Sequence, residues 1–405
     1  MAAPQLRFKE FDGEWNNFEL GTLGYFINGL TYAPENIVEK GLLVLRSSNV
    51  QNGELAFEDN VFVDLNVDQE KLTQKNDILI CVRNGSKSLI GKNALIKDLP
   101  CSATHGAFMT VFRSGLGEFV YQLLQTKRYY EYIYADLGAT INSINGNNLK
   151  KYKFYLPEKK EQTKIASFLS AVDEKISQLT QKHELLSQYK QGMMQKLFSQ
   201  QIRFKADDGS EFGEWEEKLI KDIADVKGGK RIPKGYPLVN ENTGHPYITV
   251  SDMNRYYSID STNIRYVPLE VVDTIKRYTI TDKDIFISVA GTLGIIGKIP
   301  TEFNGANLTE NADKLTNLKC HQDFLIYLLD SGYLSELIES TATTSAQPKL
   351  ALYAIEQLEV QIPCPEEQTK IANFLSAIDQ KIEVVAQQIE QAKQWKKGLL
   401  QQMFV

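Results

Sequence analysis

Two glycine-containing segments resemble loops that bind nucleotide phosphates. Each follows a strand-like apolar run and leads into Ile-Gly-Lys, at 90–92 and at 296–298. In the second segment five residues separate Gly291 from Gly297, one more than a phosphate-binding loop contains, and Ile299 stands where Ser or Thr would bind magnesium. The first segment differs from the motif in the same way. We therefore interpret both segments as tight turns between strands.

The other chemistry-bearing residues form no recognisable catalytic or metal-binding set. The four cysteines, at 81, 101, 320 and 364, include no CxxC pair, and His321 alone among the histidines adjoins one. This spacing argues against a zinc site and against a disulfide framework. No Asn-Pro-Pro-Tyr-type tetrad of a DNA methyltransferase and no nuclease-like cluster of Asp, Glu and Lys stands out. We predict that the chain is not an enzyme and that any chemistry comes from partners.

The composition is that of an ordinary globular chain. A length of 405 residues with 42% hydrophobic content predicts about two or three domains. No apolar run is long enough to cross a membrane. The opening MAAPQLRFKEFDGEW lacks the apolar core of a signal peptide. These features predict a cytoplasmic protein.

One stretch of the chain occurs twice. Residues 161–198 and 367–404 align without a gap at an offset of 206 and are identical at 20 of 38 positions. In both copies apolar residues recur in alternating steps of four and three with no internal proline, which predicts a coiled-coil helix of roughly 40 residues in each. Lys190 and Lys396 occupy the same seam position. Each is interpreted either as a charge that sets the helix register or as a side chain that extends to solvent.

A matched globular segment precedes each helix. Arg-Phe-Lys and Gly-Glu-Trp open both segments, and a short amphipathic stretch then ends at Gly29 and at Gly229. Strand-like runs, a helical stretch and a last strand follow in the same order in both. We predict an α+β fold with an internal pseudo-two-fold repeat. The predicted boundaries are 1–156 for the first globule, 157–202 for the central helix, 203–363 for the second globule and 364–405 for the C-terminal helix.

Chain connectivity predicts how the two helices pair. A helix of about 40 residues is roughly 60 Å long. In a parallel pair the second globule would have to begin and end that far apart, but a globule of its size is only about 40 Å across. Antiparallel pairing places the end of the first helix beside the start of the second. We therefore predict an antiparallel coiled coil with one globule at each end.

Two similar modules at a fixed separation suit a linear ligand with a matching period. Duplex DNA read at two half-sites is the clearest candidate. The helices match better than the globules do, so the globules can read different sequences, which predicts a bipartite, asymmetric target. Residues 203–363 carry 17 Lys and Arg against 24 Asp and Glu. This balance argues against binding through bulk positive charge, but local basic surfaces remain.

The paired helices also carry a family resemblance. Both copies read Glu-Gln-x-x-Ile-Ala-x-x-Leu-x-x-x-Asp-x-x-Ile, from Glu161 and from Glu367, and a strand ending in Leu-Pro or Ile-Pro precedes each. With an α+β globule before each copy, the chain resembles the specificity subunit of type I restriction-modification systems over essentially its whole length. The helical repeat is the specific part of the resemblance, and the Gly-Lys motifs inside the globules are weaker.

The resemblance implies a non-catalytic subunit that reads double-stranded DNA. Each globule would be a target-recognition domain for one half of a split sequence. The helices would act as a spacer and as the docking surface for two methyltransferase subunits. S-adenosylmethionine would be bound by those subunits, and restriction and motor subunits, with ATP and Mg, would complete the assembly. This chain itself would hold no cofactor and no metal and would not bind a membrane.

Polar residues beside the strand ends are the candidates for DNA contact. Phosphate contacts need Lys, Arg or hydroxyl groups, and base reading needs polar side chains that reach a groove edge. Loops are where such functions concentrate. The predicted residues of the first globule are Arg46, Ser48, Asn49, Arg83, Asn84, Lys87, Thr140 and Asn142. Those of the second globule are Lys230, Arg231, Lys234, Ser251, Asn254, Arg255, Thr292, Ser345, Gln347 and Lys349. For each residue the competing interpretation is a turn former or a solvated loop residue.

Identical polar residues off the helix seam are the candidates for partner binding. They are Gln162, Lys164, Asp173 and Lys175 in the first helix and Gln368, Lys370, Asp379 and Lys381 in the second. Docking of two equal partner copies would explain their identity, and a recent duplication would explain it as well. The tyrosines within 129–134 could stack on bases, but helical spacing favours core packing for this run.

Two other functions stay open at this point. One is an antiparallel coiled-coil scaffold that binds proteins or glycans and not DNA, which the net acidity of residues 203–363 favours slightly. The other is an independent DNA-binding regulator, which would bind DNA tightly without partner subunits.

Overall fold

A computed structural model describes residues 3–137, 142–342 and 349–405 of the chain. The chain divides into two compact units, which are described separately below. The first unit contains residues 1–180 and 387–405, and the second contains residues 181–386. Each unit therefore combines one globule with the beginning of one long helix and the end of the other.

In the first unit, the described residues form two four-stranded sheets. One sheet is antiparallel throughout, with strands in the order Tyr25–Asn28, Met109–Arg113, Ile78–Cys81 and Asn93–Leu95. The other has one parallel pair, with strands in the order Ala103–His105, Leu42–Leu45, Phe62–Val63 and Ile37–Val38. Two short pairs complete the globule, Asn16–Glu19 with Lys153–Leu156 and Val50–Gln51 with Glu54–Leu55.

The second unit repeats this arrangement. Its antiparallel sheet has the order Asp225–Gly228, Ala312–Thr316, Ile285–Ser288 and Ile296–Gly297. Its other sheet has the order Arg265–Tyr266, Pro246–Ile248, Ala306–Leu308 and Thr279–Ile280, again with one parallel pair. Glu216–Leu219 pairs with Glu359–Ile362 next to the long helix. The strand before each long helix is thus held by the strand that opens its globule.

The glycine segments lie between paired strands. Ile78–Cys81 pairs with Asn93–Leu95, and Ile285–Ser288 pairs with Ile296–Gly297, both antiparallel. Gly91 (φ +83°) and Gly291 (φ +79°) adopt left-handed backbone conformations that glycine tolerates. Both segments therefore connect adjacent antiparallel strands, as predicted, but the first connection spans residues 82–92 and contains a 3-10 turn at Lys87–Leu89, so it is longer than a tight turn.

The predicted amphipathic stretches are not continuous. In the first unit Asn16–Glu19 is a strand, Leu20–Thr22 forms one 3-10 turn and Tyr25–Asn28 is a second strand. The following Gly29 lies so close to the backbone of residues 106–107 that a Cβ atom there would be 2.0 Å from the Gly106 carbonyl oxygen. Gly229 meets the Thr309 carbonyl oxygen in the same way. Both glycines therefore permit a close approach of two backbones.

Short helices cover the globules, and those within 117–136 and 322–342 coincide with the helical stretch predicted in each globule. In the first unit the short helices are Gly117–Leu123, Lys127–Asp136 and Gly146–Leu149. In the second they are Ile220–Ile223, Val272–Ile275, Gln322–Leu328, Leu334–Ala342 and Leu352–Glu356, with a π-helical segment at Leu329–Tyr333. Tyr129 is fully buried and donates a hydrogen bond from its hydroxyl to the Gly91 carbonyl (2.9 Å), which supports core packing for this tyrosine, whereas Tyr134 of the same run is 63% exposed.

The long helices are Lys159–Phe198 and Pro365–Met403. In the first unit Ile165, Leu169 and Val172 share a buried core with residues 399–404 near the end of the second helix. In the second unit Leu197 and its neighbours share a core with Ile371, Ile378 and Ile382 near the start of that helix. In each unit the beginning of one helix thus lies beside the end of the other, which confirms antiparallel pairing.

The seam lysines form ion pairs across the two helices. Lys190 lies 2.6 Å from Asp379 in the second unit, and Lys396 lies 2.5 Å from Asp173 in the first. The side chains of Lys190 and Lys396 are only 11% and 14% exposed. A lysine that extended to solvent would be more exposed, so the structure favours the register-setting interpretation.

Buried ion pairs also hold the start of each long helix to the opening of its globule. The Arg7 guanidinium donates two hydrogen bonds of 2.7 Å to Glu161, whose side chain is fully buried. Arg203 donates to Glu367 in the same way, at 3.1 and 2.7 Å. Each carboxylate lies near a helix N-terminus, where the helix dipole also favours negative charge. The Arg-Phe-Lys motif opens each globule and the Glu-Gln motif opens each long helix. The two motifs therefore recur together because the Arg of the first binds the Glu of the second.

Candidate nucleic-acid interface

In the first unit three strand ends meet around the linker formed by residues 105–109. Backbone hydrogen bonds connect the linker to the three segments that follow those strands. They run from Leu30 N to His105 O (2.7 Å), from Gly106 N to Leu45 O (3.0 Å) and from Val82 N to Phe108 O (3.0 Å). The loops after these strands therefore emerge close together.

The predicted DNA-contacting loops of the first unit touch one another. The Asn84 side chain donates to the Ser47 hydroxyl (3.0 Å), and the Asn142 side chain donates to the Gly85 carbonyl (2.8 Å). A backbone bridge joins Arg83 to Ser143. Residues that are about 35 or more positions apart in sequence thus form one polar surface.

The surface exposes an aromatic ring beside basic side chains. Arg83 is exposed, and its guanidinium carbon lies 5.7 Å from the centre of the Phe108 ring. Phe108 is 56% exposed and was not predicted as a site residue. An aromatic side chain in the turn Gly-Ala-Phe was the only sequence signal for it. A cation beside an exposed ring can contact both phosphates and base faces. Lys87 is exposed on the same loop.

Two predicted residues of the first unit are structural. The Asn49 side chain is fully buried, accepts from the Arg46 backbone N–H (2.9 Å) and donates to the Ala56 carbonyl (2.9 Å). The Ser48 hydroxyl is also buried. Neither group is exposed to solvent, and the Asn49 side chain is held within its own turn. Arg46 is one-third exposed and forms an ion pair with Asp59 at 2.7 Å.

In the second unit the equivalent linker is residues 308–312. Lys230 N donates to Leu308 O (2.8 Å), Thr309 N donates to Ile248 O (3.0 Å) and Val289 N donates to Asn311 O (2.8 Å). The strand ends therefore converge as they do in the first unit. The basic loop that begins at Lys230 lies directly beside this linker.

The basic loop of the second unit contacts an acidic neighbour. Lys230, Arg231 and Lys234 are all exposed, but Arg231 is paired with Glu310 of the linker. Burial raises the pKa of Glu310, but hydrogen bonds from Arg231 and nearby groups outweigh burial and lower that pKa overall. The carboxylate therefore stays charged and offsets part of the positive charge of the loop. Sequence reasoning did not identify Glu310.

The remaining predicted residues of the second unit lie on two loops. Thr292 and Lys349 are exposed, and the Leu350 backbone N–H donates to Val289 O (3.0 Å), so their two segments are adjacent. The exposed Ser251 and Arg255 flank Asn254, whose side-chain oxygen accepts from the Tyr256 and Ser258 backbone N–H groups. Asn254 therefore shapes its loop. Three predicted residues, Thr140, Ser345 and Gln347, lie outside the described residues.

Most of the predicted partner-binding residues have partners within their own unit. Gln162 and Gln368 are buried, and each donates a 2.8 Å hydrogen bond to the proline carbonyl that precedes its helix, at Pro157 or Pro363. The ion pairs of the two Asp residues across the seam were described above. Lys164 forms an ion pair with Glu10 (3.1 Å), and Lys370 forms one with Asp207 (2.6 Å).

These contacts correct the sequence prediction for the helix surface. Gln162, Gln368, Asp173 and Asp379 are identical between the copies because both copies need the same internal contacts. Lys175 and Lys381 are exposed and remain candidates.

An aromatic residue is exposed at the same position of both long helices. Tyr189 is 50% exposed, and Trp395, 206 residues later, is 55% exposed. In the first unit Trp395 lies 6.1 Å from the Phe168 ring, which also packs on Phe8 (5.7 Å). We call the two positions the helix aromatic sites. The repeat offset was the signal that could have identified them.

Comparison with known proteins identifies the family. The model of the type I restriction modification DNA specificity domain matches residues 12–188 and 213–394. The chain belongs to this family. It is a DNA specificity subunit of a type I restriction-modification system, which is a non-catalytic role. No helix among the described residues is long and apolar enough to cross a membrane.

Individual relatives agree with this assignment. The putative type I restriction enzyme MjaX specificity subunit of Methanocaldococcus jannaschii is 28% identical, over 96% of this chain and 93% of the relative. The EcoKI specificity subunit of Escherichia coli is 24% identical, over 93% of this chain and 85% of the relative. The crystal structure of a type I S subunit from M. genitalium shares the fold, with a TM-score of 0.64, 20% identity and 100% and 99% coverage.

Proposed function

We propose that each globule of this chain reads one half of a bipartite target in double-stranded DNA and that the paired helices set the spacer between the halves. The observation that carries the proposal is the duplicated module. Two globules with the same strand convergence are each connected to one of two antiparallel helices. A ligand that fits such a chain must offer two binding places along one axis, and duplex DNA does so.

The two candidate surfaces differ in chemistry, which supports an asymmetric target. In the first globule the surface combines Arg83, Lys87 and the exposed Phe108 ring. In the second it combines three exposed basic residues of one loop with the carboxylate of Glu310. An acid beside a basic loop disfavours phosphate binding but can accept a hydrogen bond from the cytosine amino group. The half-sites are therefore expected to have different sequences.

The helix aromatic sites support docking of two methyltransferase subunits. Two equal partner copies need equivalent surfaces, and Tyr189 and Trp395 occupy equivalent, exposed positions. Exposed aromatic residues of this kind commonly carry most of the energy of an interface. In this proposal the methyltransferase subunits bind S-adenosylmethionine. Restriction and motor subunits bind ATP and Mg, and this chain binds no cofactor.

Sequencing of adenine methylation in single DNA molecules tests the proposal. A host without its own methylation would carry this chain with the neighbouring methyltransferase gene, and a matched host would lack this chain only. We expect a split motif with a constant gap that appears only when the chain is present.

Two outcomes would contradict the proposal. If an active methyltransferase produces no motif with this chain, the scaffold function replaces DNA reading. If the purified chain binds one sequence tightly without the methyltransferase and directs no methylation, an independent regulator replaces it.

A further inference from the structure

One loop of the second unit connects the candidate DNA-contacting surface to the helix seam. Residues 254–258 form a closed turn that carries Asn254 and the exposed Arg255. Within this turn, Tyr257 has φ +58°, a left-handed conformation that is rare for a bulky side chain. Residues are held in such conformations only where their surroundings determine them.

The Tyr257 backbone is fixed from one side. Its carbonyl accepts a hydrogen bond from the Lys298 backbone N–H (3.0 Å). A Cβ atom on Gly297 would lie 2.4 Å from the Tyr257 carbonyl carbon, so only glycine permits this contact. The turn is therefore seated against the hairpin that ends the antiparallel sheet.

The Tyr257 side chain is fixed from the other side by the seam lysine. The Lys190 ammonium donates to the Tyr257 hydroxyl (3.0 Å), and that hydroxyl donates to Asp330 (2.5 Å). Lys190 Nζ also lies 4.3 Å from the centre of the Tyr257 ring and 5.0 Å from that of Tyr327. The Tyr327 hydroxyl donates to Asp379 (2.6 Å), the ion-pair partner of Lys190.

These contacts reinforce one another. Burial lowers the pKa of Lys190, and the carboxylates of Asp379 and Asp330 oppose that effect. Burial raises the pKa of Tyr257, so its hydroxyl remains a donor at neutral pH. A cation between two rings and a carboxylate is a strong, directional contact when water is excluded.

The first unit has an equivalent connection with different chemistry. Lys396, the equivalent of Lys190, lies 5.6 Å from the centre of the Tyr121 ring. The next residue, Gln122, donates to Asp173 (2.7 Å), as Tyr327 donates to Asp379 in the second unit. The Tyr121 hydroxyl donates to the Gly53 carbonyl (3.0 Å). Gly53 lies at the tip of the hairpin that follows the loop of Arg46, and both tip residues, Asn52 and Gly53, have positive φ.

The connection therefore recurs where the rest of the loops diverge. In both units a seam lysine, its aspartate partner and a tyrosine whose ring lies beside that lysine are connected to the hairpin next to the candidate DNA-contacting loop. The tyrosine contacts the hairpin directly in the first unit. In the second unit the hairpin carries its own tyrosine, Tyr257, which contacts the equivalent lysine, Lys190. We call each set a seam clamp: Lys190, Asp379, Tyr327, Tyr257 and Asp330 in one unit, and Lys396, Asp173 and Tyr121 in the other.

We propose that the seam clamps are positioning elements for DNA reading, and that Tyr257 and Tyr121 each hold one hairpin, residues 253–259 or 50–55, in a fixed position against the helix seam. This inference rests on the proposed function. A hairpin held at its backbone and its tip has fewer poses in which a wrong base pair can be accommodated. Each clamp should therefore set the selectivity of its own half-site and not that of the other.

Tyr257→Phe and Tyr121→Phe test the proposal in the complete complex with the methyltransferase. Each substitution keeps the ring and removes the hydroxyl. The readout is methylation of genomic sites that carry one mismatched base pair, sorted by the half-site that contains the mismatch. One hydrogen bond contributes about 0.5–1.5 kcal/mol, so we expect methylation of mismatched sites to rise by roughly 3- to 10-fold in one half only. The two variants should relax different halves.

Controls separate positioning from loss of fold. Tyr353→Phe removes a hydroxyl from a tyrosine that is 69% exposed in the second unit, and it should change neither half. Asp330→Asn is a second variant of the same clamp at an exposed position, and it should relax the same half as Tyr257→Phe. This keeps the test usable if Tyr257→Phe lowers the melting temperature.

The outcomes distinguish the two proposals. A wild-type complex without any split motif contradicts the proposed function. A wild-type motif, with folded variants that relax both halves equally or neither half, leaves the proposed function intact and overturns the clamp proposal.

Discussion

At the scale of single residues, burial divides candidates that look alike in sequence. Asn49 and Arg83 both follow a buried strand and both carry groups that can read a base. Asn49 is fully buried in its own turn, whereas Arg83 is exposed beside Phe108. The chemical type of a loop residue therefore does not decide its role.

This division predicts opposite effects of two alanine substitutions. Arg83→Ala should leave the melting temperature unchanged and weaken selective methylation at one half-site, because a base or phosphate contact contributes about 1–3 kcal/mol. Asn49→Ala should lower the melting temperature, because buried backbone groups would lose their partners at a cost of about 1–3 kcal/mol. Thermal unfolding and methylation sequencing of both variants check this. A folded Arg83→Ala variant with unchanged selectivity would exclude Arg83 from the interface.

A second residue-scale prediction concerns the buried carboxyl of Asp313. Burial raises its pKa from 3.8 to about 6. The folded state therefore binds an extra proton between these values, and its stability falls as the pH rises through about 4 to 6. Asp313→Asn removes the charge, so at pH 8 the variant should be more stable than the native chain by roughly 2–3 kcal/mol. At pH 4 the two should be similar.

Asp284→Asn is the matched control in the same sheet. Asp284 is buried and forms an ion pair with Lys314 at 2.9 Å, and although burial opposes it, hydrogen bonding lowers its pKa. This variant should be less stable than the native chain at neutral pH, and the difference should disappear as the pH falls through the folded pKa. Chemical unfolding at several pH values measures both. A stabilising effect of Asp313→Asn that does not depend on pH would contradict the assignment.

At the scale of elements, one face of each long helix packs against the other helix, and the opposite face is exposed. The seam face carries the apolar core and the ion pairs of Lys190 and Lys396. The outer face carries Tyr189 and Trp395 at equivalent positions. A helix surface that docks two copies of one partner must be duplicated, and these aromatic residues meet that condition.

Substitution of the helix aromatic sites should therefore change the stoichiometry of the complex. Trp395→Ala or Tyr189→Ala alone should weaken one of two docking sites, by about 2 kcal/mol or roughly 30-fold if each is a hot spot. Complexes with one methyltransferase subunit should then predominate, and the double variant should lose both. Leu185→Ala is the matched control, since Leu185 is 57% exposed but its equivalent is Gln391. Mass measurement of intact complexes gives the answer, and two bound subunits in the double variant would rule out this surface.

At the scale of the whole molecule, the proposed function implies that the length of the paired helices sets the number of base pairs between the two half-sites. Removal of residues 180–186 and 383–389, which face each other in the antiparallel pair, should shorten both helices by about 10 Å. At 3.4 Å per base pair, the gap between half-sites should fall by about three base pairs. Removal from one helix only should prevent folding, because the seam would lose its register. An unchanged gap in a folded, doubly shortened variant would exclude the helices as the spacer.

The repeat by itself was sufficient to predict the α+β globules, the two long helices and their antiparallel pairing. A periodic apolar pattern encodes a helix locally, and connectivity then limits how two such helices can meet. The same pattern identified the family. It also placed Lys190 and Lys396 at the seam, although it left two interpretations of them open.

Only the tertiary structure decided which polar residues face solvent. Gln162, Asp173 and Asn49 were predicted as surface residues, but Asp173 pairs with Lys396 of the other helix, and the side chains of Gln162 and Asn49 turn back onto backbone carbonyls five and seven residues away. Tyr257 and Tyr121 carry no local signal at all, because their partners lie about 65 or more positions away in sequence. The exposure of a short polar side chain depends on what the fold brings beside it, and a sequence pattern records only its nearest neighbours along the chain.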